Sequence, residues 1–240
     1  MFAGPNGGGK TTLIEIIAKK YSIGIFLNAD RIAQRLDDKP FLDLREFGLK
    51  NATQEDFVIF AGKYENLKAR LKKTFEELQL QIEEGYIIKK SEFVNSYEAA
   101  FVADFIRDAL LKNKKGFSFE TVMSHRSKIN FIQEAGQAGF KTYLYYIAAS
   151  DPEIHSQRVK ERVNKGGHGV PEEKIHERYY RSLDLLYDAV KMADRTFIID
   201  NSTKEGKLVA EKDNKSYLEL KTQSVPWWVD EYLLQKIEED

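Results

Sequence analysis

Four glycines fall within six positions at Gly4-Pro5-Asn6-Gly7-Gly8-Gly9, followed at once by Lys10 and Thr11 and then by apolar residues at helical spacing from Thr12 to Tyr21. No other segment constrains the chain as much. Glycine reaches backbone conformations closed to other residues and has no Cβ to fill a concavity. The spacing G-x-x-x-x-G-K-T therefore lets successive N–H groups converge on one point. The helix that follows adds the positive end of its dipole. A strand–loop–helix unit of this kind is a P-loop, which cradles the phosphates of a nucleoside triphosphate. Gly4, Pro5, Asn6, Gly7, Gly8, Gly9, Lys10, Thr11 and Thr12 are the ATP-binding candidates. Lys10 is placed to reach the β- and γ-phosphates, which makes it a catalytic candidate as well, and Thr11 to ligate Mg²⁺. ATP and Mg²⁺ are the expected cofactors. Only Met1-Phe2-Ala3 precede the first glycine, fewer than the roughly 5–6 residues of an ordinary strand, so the expectation is that the natural chain starts upstream.

Further along, Ile23–Leu27, Gly116–Thr121, Phe140–Ala148 and Arg195–Asp200 read as buried strands separated by helical patterns. That alternation predicts an α/β fold of three layers, a mostly parallel sheet covered on both faces. In such a sheet ligands collect at the carboxyl ends of the strands. Gly4, Asn28–Asp30, Glu120–Thr121 and Asp200–Ser202 all sit at such ends. Thr53 with Asp56 reads as a capping box, and apolar residues from Phe57 to Ile82 predict a helix of about 30 residues stopping near Gly85. A second helix is capped by Asn95 with Glu98 and runs to about Asn113. Ser150-Asp151-Pro152-Glu153 opens a helix that breaks at Gly166-Gly167-His168-Gly169, and Pro171 opens the next. Leu208–Lys221 reads as a hairpin, and a final helix holds Trp227 and Trp228, read as packing residues. The expected organisation is a single domain over 1–240, with a helical insertion at about 37–92 and a C-terminal hairpin and helix at about 207–240.

The composition excludes several classes. Net charge is −1 with a pI near 6.5, so no overall basic field exists to hold nucleic acid or an anionic membrane. The chain has no cysteine, which removes disulfides, thiolate metal sites and a cysteine nucleophile. The four histidines lack metal-ligand spacing, so a protein-built zinc site is not expected. With neither a long apolar run nor a signal-type leader, the default compartment is the cytoplasm.

Beyond the P-loop, individual residues carry two readings each. Asp30, at the end of a neighbouring strand, can face the γ-phosphate as base toward an acceptor hydroxyl, or it can cap the helix over Arg31–Leu36. Glu120 can orient an acceptor, hold Mg²⁺ through water, or be an exposed charge after a strand. Arg158, Arg162, His168, Arg178 and Arg181 surround the glycine-rich break. Arginines on a hinged lid can neutralise charge on a transferred phosphoryl group.

Taken in order, Gly4–Thr12 (GPNGGGKTT), Asn28–Ala33 (NADRIA), Phe119–Ser124 (FETVMS), Arg158–Pro171 (RVKERVNKGGHGVP) and Ile199–Ser202 (IDNS) resemble the motifs of zeta-toxin-like P-loop kinases. The resemblance covers residues 1–36 and 95–210. It implies a kinase-type P-loop fold with a lid. It also implies an enzyme that moves the γ-phosphate of ATP to an alcohol group, with UDP-N-acetylglucosamine as first-choice acceptor and an antitoxin protein as possible partner. The best-understood members phosphorylate that nucleotide sugar and so poison cell-wall precursor synthesis. Position by position, Lys10 and Thr11 match the P-loop lysine and magnesium residue, and Asp30 the acid proposed as base. Asn28, Glu120, Thr121 and His168 fall on the acceptor side, and Asn201 on the nucleotide side. Arg158 or Arg162 matches a lid arginine, and both are catalytic candidates. His168 stands about where toxin members carry a second arginine, and Asp37–Glu92 has no counterpart. The competing reading is a partner-regulated P-loop NTPase without small-molecule transfer, in which Asp30 is only a cap. A polynucleotide kinase is disfavoured by the neutral charge.

Overall fold

The computed structural model describes residues 1–64, 75–91, 95–167, 169–203, 205–213 and 217–239. They form two compact units, one of Met1–Ser22 with Glu120–Asp240 and one of Ile23–Phe119.

The first unit begins with β1 (Phe2–Ala3), the glycine loop and α1 (Lys10–Ala18). The second runs through β2 (Ile25–Leu27), α2 (Ala29–Asp38), β3 (Phe41–Asp43), α3 (Gln54–Lys63), β4 (Leu80–Glu83), β5 (Tyr86–Lys89) and α4 (Ser96–Lys112). Strand β6 (Phe117–Thr121) then carries the chain back into the first unit. There follow α5 (Ser127–Gln137), β7 (Tyr143–Ala148), α6 (Pro152–Asn164), α7 (Glu172–Asp184) and α8 (Leu186–Met192). The chain continues with β8 (Arg195–Asp200), β9 (Lys207–Lys212), β10 (Leu218–Leu220) and a helical stretch over 227–238 that contains a π turn.

In the first unit β1 lies between β6 and β7 and is parallel to both. β7 pairs with β8 in parallel, and β9 and β10 add an antiparallel edge, the expected C-terminal hairpin. The fold class is therefore α/β with a mostly parallel sheet, as the alternation of patterns predicts. The register sets Phe2 opposite both Glu120 and Tyr145, so the glycine loop leaves β1 between the carboxyl ends of two neighbours. Side chains alternate along a strand. One face turns Leu144, Tyr146, Ala148 and Ile198 toward α5, α7 and α8 in one buried core. Trp228 is fully buried in that core with its ring 5.9 Å from Tyr146, as the packing reading expected, whereas Trp227, read the same way, is exposed. The opposite face carries an aromatic stack, Phe2 on Tyr145 at 5.0 Å and Tyr145 on Phe197 at 4.7 Å.

In the second unit β2 runs parallel to the first half of β6, and β3, β5 and β4 form a separate antiparallel sheet. Capping boxes at Thr53/Asp56 and Asn95/Glu98 form as the sequence indicates. The single helix expected from Phe57 to Ile82 does not. It ends at Lys63, residues 65–74 lie outside the described residues, and Leu80–Glu83 is a strand. Leu78 and Ile82 are four apart, which suits a helix, but Leu78 ends a short 3-10 turn, Gln79 is left-handed, and Leu80 and Ile82 are buried in a strand's alternation. The insertion is thus helix and sheet together. The helix opened near Ser150 is capped by Asp151, whose side chain accepts from Glu153 N–H, while the Ser150 N–H donates to Ser202 Oγ at 2.8 Å. Among the described residues no helix is long and apolar enough to cross a membrane.

Candidate nucleotide site

The glycines of the loop are required where they stand. Gly4, Gly7 and Gly9 have φ of 139°, 75° and 98°, the left-handed side that other residues rarely adopt. A Cβ on Gly7 would lie 2.4 Å from the His155 carbonyl oxygen, and one on Gly9 2.3 Å from Asn201 Nδ2. Gly8 N–H donates to the Pro5 carbonyl at 3.1 Å, closing the loop on itself. Gly9 caps α1 in the left-handed conformation, so α1 starts at Lys10 with its first-turn N–H groups facing the loop.

Lys10 is buried. Its ammonium donates to the Gly4 and Pro5 carbonyls at 2.8 and 2.9 Å and lies 3.9 Å from Glu120 Oε1. Thr11 and Thr12, in the same turn, are exposed. The β1–β6 register places Glu120 and Thr121 opposite Phe2 and Ala3. Thr121 Oγ1 accepts from the Met123 N–H at 3.0 Å, so that hydroxyl also holds the turn after β6. Lysine, backbone N–H groups, an exposed threonine hydroxyl and a carboxylate around one loop are the donor set that Mg²⁺-ATP requires.

Two side chains hold the loop from outside. Asn201, at the end of β8, donates from Nδ2 to the Gly8 carbonyl at 2.8 Å, while its own N–H donates to the Ala148 carbonyl at 2.7 Å. Asn201 thus contacts the P-loop backbone. The second holder, His155 in the first turn of α6, was missed by the sequence reading. It is fully buried, with Nδ1 2.7 Å from the Asn6 carbonyl and Nε2 accepting from the Ala149 N–H at 3.0 Å. An Nε2 that accepts leaves the proton on Nδ1, which must therefore donate to Asn6. Burial lowers the ring's pKa to about 4, and the nearby charges of Lys10 and Arg158 push the same way, against the hydrogen bond to the Asn6 carbonyl. Tyr179 stacks edge-on against the ring at 5.1 Å and donates its hydroxyl to the Ala149 carbonyl at 2.9 Å.

The two candidate arginines, Arg158 and Arg162, separate by environment. Arg158 is half-buried, one turn beyond His155, and its Nη1 is buried without a hydrogen-bond partner among the described residues. Arg162 is exposed, its side chain lying over Gly167. Arg178 and Arg181 lie on α7, where Arg181 pairs with Glu177 at 2.7 Å. His168 lies outside the described residues.

In the second unit, Asn28 caps α2 by accepting the Arg31 N–H at 3.0 Å. Asp30 is therefore not the cap. It sits in the first turn with its side chain exposed.

Superposition on solved structures gives the architecture a counterpart. The complex of AvrRxo1-ORF1 with AvrRxo1-ORF2, determined with sulfate ions, matches with a TM-score of 0.52 at 16% identity, over 92% of this chain and 60% of that one. The chain has a P-loop α/β fold. It spans about 60% of that neighbour's length. A structure from the PezAT chromosomal toxin–antitoxin system of Streptococcus pneumoniae superposes with a TM-score of 0.47 at 14% identity, over 97% of this chain and 77% of that one. A curated relative from Haemophilus influenzae, described as an uncharacterized protein, is 36% identical over 69 residues. That match covers 29% of this chain and 49% of the relative, so the chain matches about half of that protein's length. No protein-family model matches the chain.

Proposed function

We propose that this protein is a zeta-toxin-like phosphotransferase that moves the γ-phosphate of ATP to a hydroxyl of a small acceptor, with UDP-N-acetylglucosamine as the first acceptor to test. The observation that carries the reading is the carboxylate of Glu120 beside the buried P-loop lysine, at 3.9 Å. A carboxylate at that place can orient an acceptor hydroxyl or, through water, hold Mg²⁺. The sequence resemblance supports the same reading.

When bound, Mg²⁺-ATP supplies the phosphoryl group, and the roles of this chain's own residues follow. Lys10 and the loop N–H groups hold the phosphates, and Thr11 holds the metal. Asp30, free of the capping role, would take the acceptor hydroxyl's proton as that oxygen bonds to the γ-phosphorus and the bond to the departing ADP breaks. Glu120 and Thr121 orient the acceptor, and Asn28 and His168 complete its binding. Between the two lid arginines, we assign Arg158 to the charge that develops on the phosphoryl group, because a buried guanidinium N–H without a partner suits an anion. Arg162, exposed and packed on Gly167, is assigned to the lid's own structure. An antitoxin partner belongs to the same proposal.

Incubating the protein with Mg²⁺-ATP and a panel of nucleotide sugars, sugars and nucleosides, with mass gain read on each acceptor, tests the proposal. One acceptor should gain a phosphate, and Asp30→Ala should lose that gain while still binding ATP. Nucleotide binding without transfer to any acceptor would favour the partner-regulated NTPase instead.

A further inference from the structure

We propose that His155 is a positioning residue for the P-loop: by holding the Asn6 carbonyl it aims the Gly7 N–H at the nucleotide phosphates and so sets nucleotide affinity. The inference rests on the nucleotide-binding reading of the loop given above.

The argument starts from the peptide plane. In a trans peptide the C=O of one residue and the N–H of the next point in opposite directions from one rigid plane. There are no cis peptides among the described residues. His155 Nδ1–H holds the Asn6 oxygen at 2.7 Å, so the Gly7 N–H must point directly away from His155. Asn201 does the same one plane later, holding the Gly8 oxygen at 2.8 Å and so turning the Gly9 N–H. A loop of glycines has little preference of its own among backbone conformations, so these planes need outside holders if their N–H groups are to stay convergent. Gly7 also packs directly on the His155 backbone, where any Cβ would meet its carbonyl oxygen.

The histidine is itself held from the far side. Ala149 N–H occupies Nε2, which fixes the tautomer, and Tyr179 stacks on the ring and bonds to the Ala149 carbonyl. A chain of contacts therefore runs from α7 through the end of β7 to one peptide of the loop. The ring touches the loop backbone, so its effect on nucleotide passes through Gly7.

Two substitutions separate positioning from plain structural support. Asparagine can place an N–H near the position of Nδ1 and keep the Asn6 bond while losing the Ala149 one. Glutamine can place its oxygen near Nε2 and do the reverse. Mg²⁺-ATP is titrated calorimetrically into wild type, His155→Asn and His155→Gln, and each melting temperature is measured. Both variants should melt lower than wild type, but only His155→Gln should bind Mg²⁺-ATP about tenfold or more weakly, the loss expected for one charge-assisted hydrogen bond. Equal affinities for wild type and His155→Gln, or equal losses in both variants, would overturn the proposal. A wild type that does not bind Mg²⁺-ATP overturns the nucleotide reading along with it. A spectrum of the unmutated protein gives a check independent of folding. The Gly7 amide proton should move downfield on adding Mg²⁺-ATP, and an unmoved Gly7 signal contradicts the proposal.

Discussion

Acid should weaken the first unit through His155 in a defined window. The ring's pKa falls from 6.5 in the unfolded chain to about 4 in the fold. Between those values the unfolded state binds a proton that the folded state refuses, so stability is fully present above pH 6.5 and is lost as pH falls toward 4. The ring is fully buried, so solvent screening does not reduce the effect. A gap of about two and a half pH units corresponds to roughly 3 kcal/mol, a large part of an ordinary domain's stability of about 5–15 kcal/mol. Lys10 and Arg158 are the charges that oppose protonation, and Tyr179 packs on the ring without offering it a counter-charge. Both tryptophans of the chain, Trp227 and Trp228, lie in the first unit, so tryptophan fluorescence reports its unfolding. Urea denaturation of wild type and His155→Gln should be compared at neutral pH and near pH 4. At neutral pH the wild type should be the more stable. Near pH 4 the order should reverse, because glutamine has no proton to refuse. Carboxylates titrate in both proteins, so the comparison isolates the histidine. Parallel pH profiles for the two proteins would refute the reasoning.

Gly9→Ala should weaken Mg²⁺-ATP binding by about tenfold or more, since its Cβ would displace the Asn201 amide from Gly8. Gly136→Ala, on α5 with no atom within 4 Å of its Cβ, should leave binding alone and raise stability by about 0.5–1 kcal/mol. Calorimetry and thermal melts read both. Arg158→Ala should lower the rate of phosphoryl transfer by about 100-fold or more and Arg162→Ala should leave it nearly unchanged, as measured by steady-state kinetics with the acceptor found. Trp228→Ala should cost about 3–5 kcal/mol in urea denaturation, because it empties a fully buried position beside Tyr146 and removes a 3.3 Å bond to Asp200.

What could be read in advance was local. The P-loop, the two capping boxes and β8 from Arg195 to Asp200 depend on residues within a few positions of one another, and each formed where the residues indicated. The parallel sheet followed because its strands alternate with helices. The stretch from Leu78 to Ile82 was misread because spacing by four fits a helix and a strand equally well, and only burial chose between them. Asp30 could be read as the cap of a helix over Arg31–Leu36, but the helix starts two residues earlier, at Ala29, and Asn28 caps it, an offset that propensity does not resolve. His155 was beyond reach for a different reason. Its partner Asn6 lies 149 positions away, and a single histidine in the first turn of a helix looks like any surface residue until the fold brings the two together. Arg158 and Arg162 carry the same side chain four positions apart, and only burial separates them.

The central claim is that the phosphoryl group goes to a hydroxyl on an acceptor rather than to water. Phosphorus NMR of one reaction, containing the protein, Mg²⁺-ATP and the acceptor that gained mass, measures this directly. The account predicts one phosphorylated acceptor for each ADP formed, with little inorganic phosphate. ADP accompanied by an equal amount of inorganic phosphate, whatever acceptor is supplied, would contradict it.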